Sequence, residues 1–209
     1  MTAARKVVLH HAPHTRSAMT RVLLEELGVP YDLHVLDFPG GEHRQAAYLA
    51  VNPMGKLPAI AHGGAVVTES VAIFIYLADL FPEAKLAPAS TDPLRGPYLR
   101  WLVFYAACFE PALLDKSMNR EPPPLSRSPY GDYDSVIETL NDQLAKGPYI
   151  CGDTFTAADV LWGAALAWTT MFKLVPLTPV IDDYIKRVTS RPAAVRAREK
   201  DEALVAARK

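Results

Sequence analysis

Asn52-Pro53-Met54-Gly55-Lys56-Leu57-Pro58, followed by Glu69-Ser70 at the start of an apolar helical run, combines two backbone devices that can hold a small peptide. A residue before proline is pushed out of the helical region, so Lys56-Leu57-Pro58 reads as a short extended stretch. A cis Leu57–Pro58 bond, which sequence alone does not reveal, would turn the Leu57 amide and carbonyl outward to pair with a ligand as with an added strand. Val71, Phe74, Ile75 and Ala78 repeat at helical spacing just after Glu69-Ser70. The unpaired amides and positive dipole end of such a helix suit a ligand carboxylate.

Other reactive groups carry bland readings. His11 and His14 stand at His-x-x-His spacing in a strand or loop without nearby carboxylates, so surface histidines are expected there rather than a metal site. Cys108 and Cys151 are far apart and lack a CxxC partner; they read as small buried hydrophobes, not as a disulfide or zinc framework. Glu25-Glu26 and Asp182-Asp183 are adjacent on helices, where neighbours do not face each other, so solvated faces are expected.

The elements that must position the clamp follow from periodicity. Lys6 to His11 reads as a strand, and Met19, Val22, Leu23 and Leu27 share one face of the helix that follows; Gly28 and Val29-Pro30 end it. Tyr31 to Leu36 is a second strand and Glu42 to Leu49 a short helix. Ala59-Ile60-Ala61, Gly63-Gly64 and Ala65-Val66-Val67 form a hairpin before the Glu69 helix. This order builds a small mixed sheet with helices on its faces, over residues 1–81. Prolines 82, 88, 93 and 97 mark a linker over 82–97, and residues 98–209 are helical in period. Pro111 should bend or split the first of these helices, Glu121-Pro-Pro-Pro124 interrupts them, and Val160, Leu161, Ala164, Ala165 and Trp168 mark a helix apolar almost all round and therefore central.

Lys plus Arg total 22 against 23 for Asp plus Glu, so no electrostatic footprint for nucleic acid or an anionic membrane appears. The most apolar stretch, Val160 to Trp168, is shorter than the roughly 20 residues a bilayer span needs. The amino terminus lacks the pattern of an export signal, and a cytoplasmic location is expected.

Taken in order, these residues resemble the soluble glutathione transferase superfamily along nearly the whole chain. The Asn52 to Pro58 segment with Glu69-Ser70 is similar to the family's glutathione clamp. Gly152-Asp153-Thr154-Phe155-Thr156-Ala157-Ala158-Asp159 is similar to its buried capping box, and Ser190-Arg191-Pro192-Ala193 to its closing helix. The box has its own physical sense, with Thr156 capping a buried helix and Asp159 answering three residues later. The resemblance implies an α/β thioredoxin-like domain that binds glutathione, an all-α domain that supplies most of the electrophile pocket, and a homodimer engaged in detoxification. It places the Leu57 backbone, ahead of Pro58, on the cysteinyl part of glutathione, Glu69 and Ser70 on the γ-glutamyl amine and carboxylate, and Lys56 near the glycyl carboxylate.

Chemistry in that family requires the glutathione thiolate, favoured by a donor hydrogen bond and a helix amino terminus. The stretch after the first strand holds neither Tyr nor Cys, so the resemblance leaves Thr15 or Ser17 as hydroxyl donor, with Arg16 adding charge and His11 or His14 as further choices. Thr15 and Ser17 can equally cap the helix. His14, Tyr105, Phe109, Lys116 and Met171 are the expected pocket residues for a small hydrophobic electrophile; core packing is the alternative for Phe109 and Met171. A glutathione-fold binding or regulatory protein with little catalysis is the competing function.

Overall fold

The structure, a computed structural model, describes residues 6–121 and 123–207. The amino-terminal residues 1–5 read above against an export signal, and Pro122 within the proline run, lie outside the described residues.

Two compact units are present: one comprises the chain up to Ala84 together with Pro192 onward, the other Lys85–Arg191. In the first, β1 (Val7–His11), β2 (Tyr31–Val35), β3 (Ala59–His62) and β4 (Ala65–Thr68) form a sheet of order β2-β1-β3-β4. β1 runs parallel to β2 and antiparallel to β3, with Leu9 opposite both Leu33 and Ile60. Leu9 and Ile60 are fully buried because a central strand is covered on both faces. Helices α1 (Ser17–Leu27) and α3 (Ser70–Leu80) pack on one another, and this is a thioredoxin-like arrangement. α1 buries Met19, Leu23, Leu24 and Leu27, and ends on Gly28 at φ 67, a left-handed cap that glycine adopts without a side-chain clash.

The helix expected over Glu42 to Leu49 is broken. A 3-10 turn, Glu42–Arg44, gives way at Gln45, whose extended backbone (φ -81, ψ 154) starts α2 (Ala46–Leu49) afresh. The last helix, α9 (Pro192–Ala206), packs along α1 and so belongs to the sheet-bearing unit; the expected boundaries at residues 81 and 98 do not anticipate this.

The second unit contains α4 (Arg95–Phe104), α5 (Glu110–Ser117), α6 (Tyr133–Leu144), α7 (Ala157–Met171) and α8 (Pro179–Thr189). Between α4 and α5 the chain widens into one π-helical turn, Tyr105–Phe109, directly before Pro111. Proline has no amide hydrogen for the preceding turn, and the widened turn absorbs that defect without a gap in the helix. Trp162 of α7 is fully buried, its ring 4.9 Å from Phe109 and 5.6 Å from Tyr105, and it donates its indole hydrogen to the Trp101 carbonyl at 3.1 Å. At the start of α7 the Asp159 carboxylate accepts the amide hydrogens of Ile150 at 2.7 Å and Thr156 at 2.8 Å, and the Tyr184 hydroxyl at 2.9 Å. Burial raises the Asp159 carboxyl above its ordinary range, and these donors oppose that rise. Among the described residues no helix is long and apolar enough to cross a membrane.

Candidate functional site

The clamp segment is fixed from below. Tyr48 of α2 donates its phenol hydrogen to the Lys56 carbonyl at 2.7 Å, and Asn52 Nδ2 donates to the same oxygen at 2.9 Å. Asn52 also accepts the Met54 amide, and its own carbonyl accepts the Gly55 amide at 2.8 Å. Gly55 stands at φ 59, and a Cβ there would lie 2.8 Å from the His43 carbonyl. Burial pushes the Tyr48 phenol up to about 12, so it stays a donor across the neutral range.

The Leu57–Pro58 bond is cis. The Leu57 side chain, 8 % exposed, packs with Ala12, Leu36 and Tyr48, and among the described residues its backbone amide and carbonyl take no hydrogen-bond partner. An anchored side chain with an unpaired backbone is what an incoming strand-like ligand needs. Pro58 is buried, and Lys56 is exposed.

Glu69 precedes α3 at φ 65, ψ 120, a conformation in which a side chain is strained, and it is exposed; Ser70 is the first residue of the helix. Such strain persists where the surroundings impose it, and it gathers at functional sites. The Glu69 side chain makes no cap hydrogen bond to this helix, and among the described residues the helix's first amides are open to an anion.

The loop after β1 contains a buried polar chain that was only partly legible. Thr15 Oγ1 lies 2.7 Å from Ser17 Oγ, Ser17 Oγ lies 2.9 Å from His11 Nδ1, and His11 Nε2 lies 3.0 Å from Asp201 Oδ1 on α9. Arg21 also pairs with that carboxylate. His11 and Ser17 are wholly buried, whereas Thr15 is partly exposed. Ser17 Oγ further accepts the Ala12 amide at 3.1 Å, so it locks the loop and is enclosed away from any ligand. Burial acts to raise the Asp201 carboxyl, but hydrogen bonds and charge from His11 and Arg21 outweigh it and hold the group below the ordinary carboxylate range. His14 and Arg16 are exposed, His14 at φ 61.

The residues expected to line an electrophile pocket fare differently. Tyr105 and Phe109 are enclosed in the aromatic cluster around Trp162, and Tyr105 spends its hydroxyl on Glu110 at 2.7 Å. Packing accounts for both rings. Met171 is 68 % exposed at the end of α7, and Lys116 is exposed with its ammonium 4.9 Å from the Tyr133 ring. Burial raises both thiols, Cys151 to about 11, so neither is a thiolate near neutral pH. Among the described residues no group of three or more His, Cys, Asp or Glu gathers as for a metal ion.

Sequence reasoning gave no role to Tyr48, Asn52, Arg21 or Asp201. Asn52 stood within the motif; Asp201, 190 residues from His11, carried no local signal.

Comparison with known proteins bears on the family and the fold. Residues 16–80 match the family described as glutathione S-transferase, N-terminal domain, and residues 130–187 match glutathione S-transferase, C-terminal domain. Glutathione S-transferase F10 of Arabidopsis thaliana is 30 % identical over 165 residues, 74 % of this chain and 77 % of that protein. The disulfide-bond oxidoreductase YfcG of Escherichia coli (strain K12) is 28 % identical over 204 residues, 90 % of this chain and 93 % of that one. A solved sphingomonad glutathione S-transferase complexed with glutathione superposes with a TM-score of 0.77 at 25 % identity, covering 93 % of this chain and 98 % of the other.

Proposed function

Given that this chain belongs to the glutathione S-transferase superfamily, we propose that it binds glutathione on its sheet-bearing unit and transfers the glutathione thiolate to small hydrophobic electrophiles. The single observation that carries the reading is the Leu57 peptide, its side chain buried and its amide and carbonyl unpaired among the described residues, in the same unit as the uncapped start of α3 at Ser70. The Leu57 backbone pairs with the cysteinyl residue. Ser70 and the first amides of α3 take the γ-glutamyl carboxylate, Glu69 takes its amine, and exposed Lys56 meets the glycyl carboxylate. Thr15, the partly exposed member of the hydroxyl pair at the start of α1, donates to the sulfur, and the helix amino terminus adds its positive potential.

Binding so organised supplies orientation, and the stabilised thiolate supplies the nucleophile. The reaction needs no metal, and the protein works as a homodimer, a state that sedimentation would read directly.

The test is calorimetric titration with glutathione and S-methylglutathione, followed by assays with an aromatic halide and with a low-molecular-weight disulfide. Uptake of both tripeptides and turnover of the halide support a transferase. Absence of uptake removes the reading altogether. Turnover of the disulfide alone favours the activity named for the YfcG relative, and uptake without turnover of either leaves a binding protein.

A further inference from the structure

Four side chains of the sheet-bearing unit form one continuous polar line: Thr15 Oγ1 to Ser17 Oγ at 2.7 Å, Ser17 Oγ to His11 Nδ1 at 2.9 Å, and His11 Nε2 to Asp201 Oδ1 at 3.0 Å. The two hydroxyls also hold the loop backbone: Thr15 Oγ1 can donate to the Ala12 carbonyl at 2.8 Å and accepts the Ser17 amide at 3.2 Å, and Ser17 Oγ lies 3.1 Å from both the amide and the carbonyl of Ala12. Holding the loop needs only these hydroxyls, yet a wholly buried imidazole stands behind Ser17 and a carboxylate from α9 behind that, only 14 % exposed at its side chain. In the tautomer that places the Nε2 hydrogen on the carboxylate, Nδ1 is the acceptor for the Ser17 hydroxyl hydrogen. Thr15 Oγ1 can turn its one hydrogen to the Ala12 carbonyl at 2.8 Å or to Ser17 Oγ at 2.7 Å, and the second orientation completes an inward line of hydrogens from Thr15 to His11.

Resting on the assignment of glutathione to this unit, we infer that the line is a proton relay, with His11 as the resting place of the thiol proton and Asp201 as the positioning residue that keeps the resulting imidazolium paired. The glutathione S–H bond breaks and its proton passes to Thr15 Oγ1. Thr15 gives its own hydrogen to Ser17, and Ser17 gives its own to His11 Nδ1. Charge is conserved: a neutral thiol and neutral imidazole become a thiolate and an imidazolium. Both hydroxyls end reversed, and Thr15 now donates to the sulfur anion, a charge-assisted bond stronger than the neutral one it replaces. The charged groups about His11 are Asp201 from α9 and Arg21 from α1, which meets the far side of the same carboxylate. The arrangement resembles a Ser-His-Asp triad in its chemistry, but the serine is a wire rather than the nucleophile because it is fully enclosed.

The relay differs from a simple hydroxyl donor in where the proton goes. With the whole protein at neutral pH, thiolate absorbance on glutathione binding is measured beside calorimetry in buffers of different ionisation enthalpy. Thiolate formation with almost no proton released to buffer is expected in the native protein. His11→Gln should still bind S-methylglutathione, but should form at least about tenfold less thiolate at the same pH, equivalent to one unit of thiol pKa, and any thiolate it forms should appear with one proton released. Asp201→Asn, which keeps the shape and removes the charge, should give an intermediate loss. Thiolate accompanied by a full proton in the native protein, no thiolate despite tripeptide binding, or unchanged thiolate and release in both variants overturns the relay. Failure of native protein to bind S-methylglutathione overturns instead the glutathione assignment beneath it.

Discussion

Tyr48 donates to the Lys56 carbonyl at 2.7 Å and thereby orients the Lys56–Leu57 peptide, whose amide hydrogen takes no partner among the described residues. The same oxygen is held by Asn52, so the clamp is positioned by a side chain outside its own motif as well as by one within it.

Tyr48→Phe should weaken glutathione binding a few-fold, since one buried hydrogen bond of about 1 kcal/mol is lost while Asn52 remains. Stability should fall by a similar amount. Because the Tyr48 pKa is about 12 when folded and 10.0 otherwise, the contribution of the protonated phenol is complete below pH 10 and lost as pH rises through 12. The stability advantage of the native protein over the variant in denaturant titrations should therefore shrink as pH rises from 10 towards 12; a constant difference would contradict this.

Glu69→Gly should separate stability from function. Glycine relaxes a backbone held at φ 65, so the variant should gain about 1 kcal/mol in urea unfolding. Loss of the carboxylate should raise the glutathione Kd about tenfold, as expected for one charge-assisted contact. Calorimetry and unfolding on the same sample read both signs.

Asp201→Asn should destabilise by about 3 kcal/mol, because Arg21 and His11 lose a buried partner. The Asp201 carboxyl titrates below its ordinary value in the folded protein, so its contribution is present above the unfolded pKa near 3.8 and is lost as pH falls through the lower folded value. The variant's unfolding free energy should depend less on pH in that acid window, and an equal dependence would count against the pairing.

Asp159→Ala should cost about 4 kcal/mol or prevent folding, since the amides of Ile150 and Thr156 and the Tyr184 hydroxyl are left unpaired in the interior. Asp159→Asn should recover part of that loss, as read by thermal unfolding.

Gly163→Ala should lower stability by about 2 kcal/mol even though alanine favours helix, because its Cβ would meet Val188 at 2.4 Å between α7 and α8. Adding Val188→Ala should restore part of the loss, and chemical denaturation of the single and double variants measures the coupling.

Legibility tracked distance along the chain. The hairpin, the helix at Ser70 and the Thr156/Asp159 box were readable because the residues that make each stand within a few positions of one another. The broken helix after Glu42 was not, because Gln45 carries no breaker signal of its own. Phe109 read equally well as pocket or core and Tyr105 as pocket, and only the tertiary structure showed both rings enclosed around Trp162.

By itself the sequence determined the two-part fold class and marked out the Asn52 to Pro58 segment and the helix start at Ser70, since proline geometry, periodicity and helix starts are local properties of a chain. The tertiary structure alone decided that α9 returns to α1 and sets Asp201 against His11, and that Ser17 is sealed while Thr15 reaches partly into the open. Hydrogen bonding between residues 190 positions apart depends on how helices pack, and a buried hydroxyl looks the same in sequence as an exposed one.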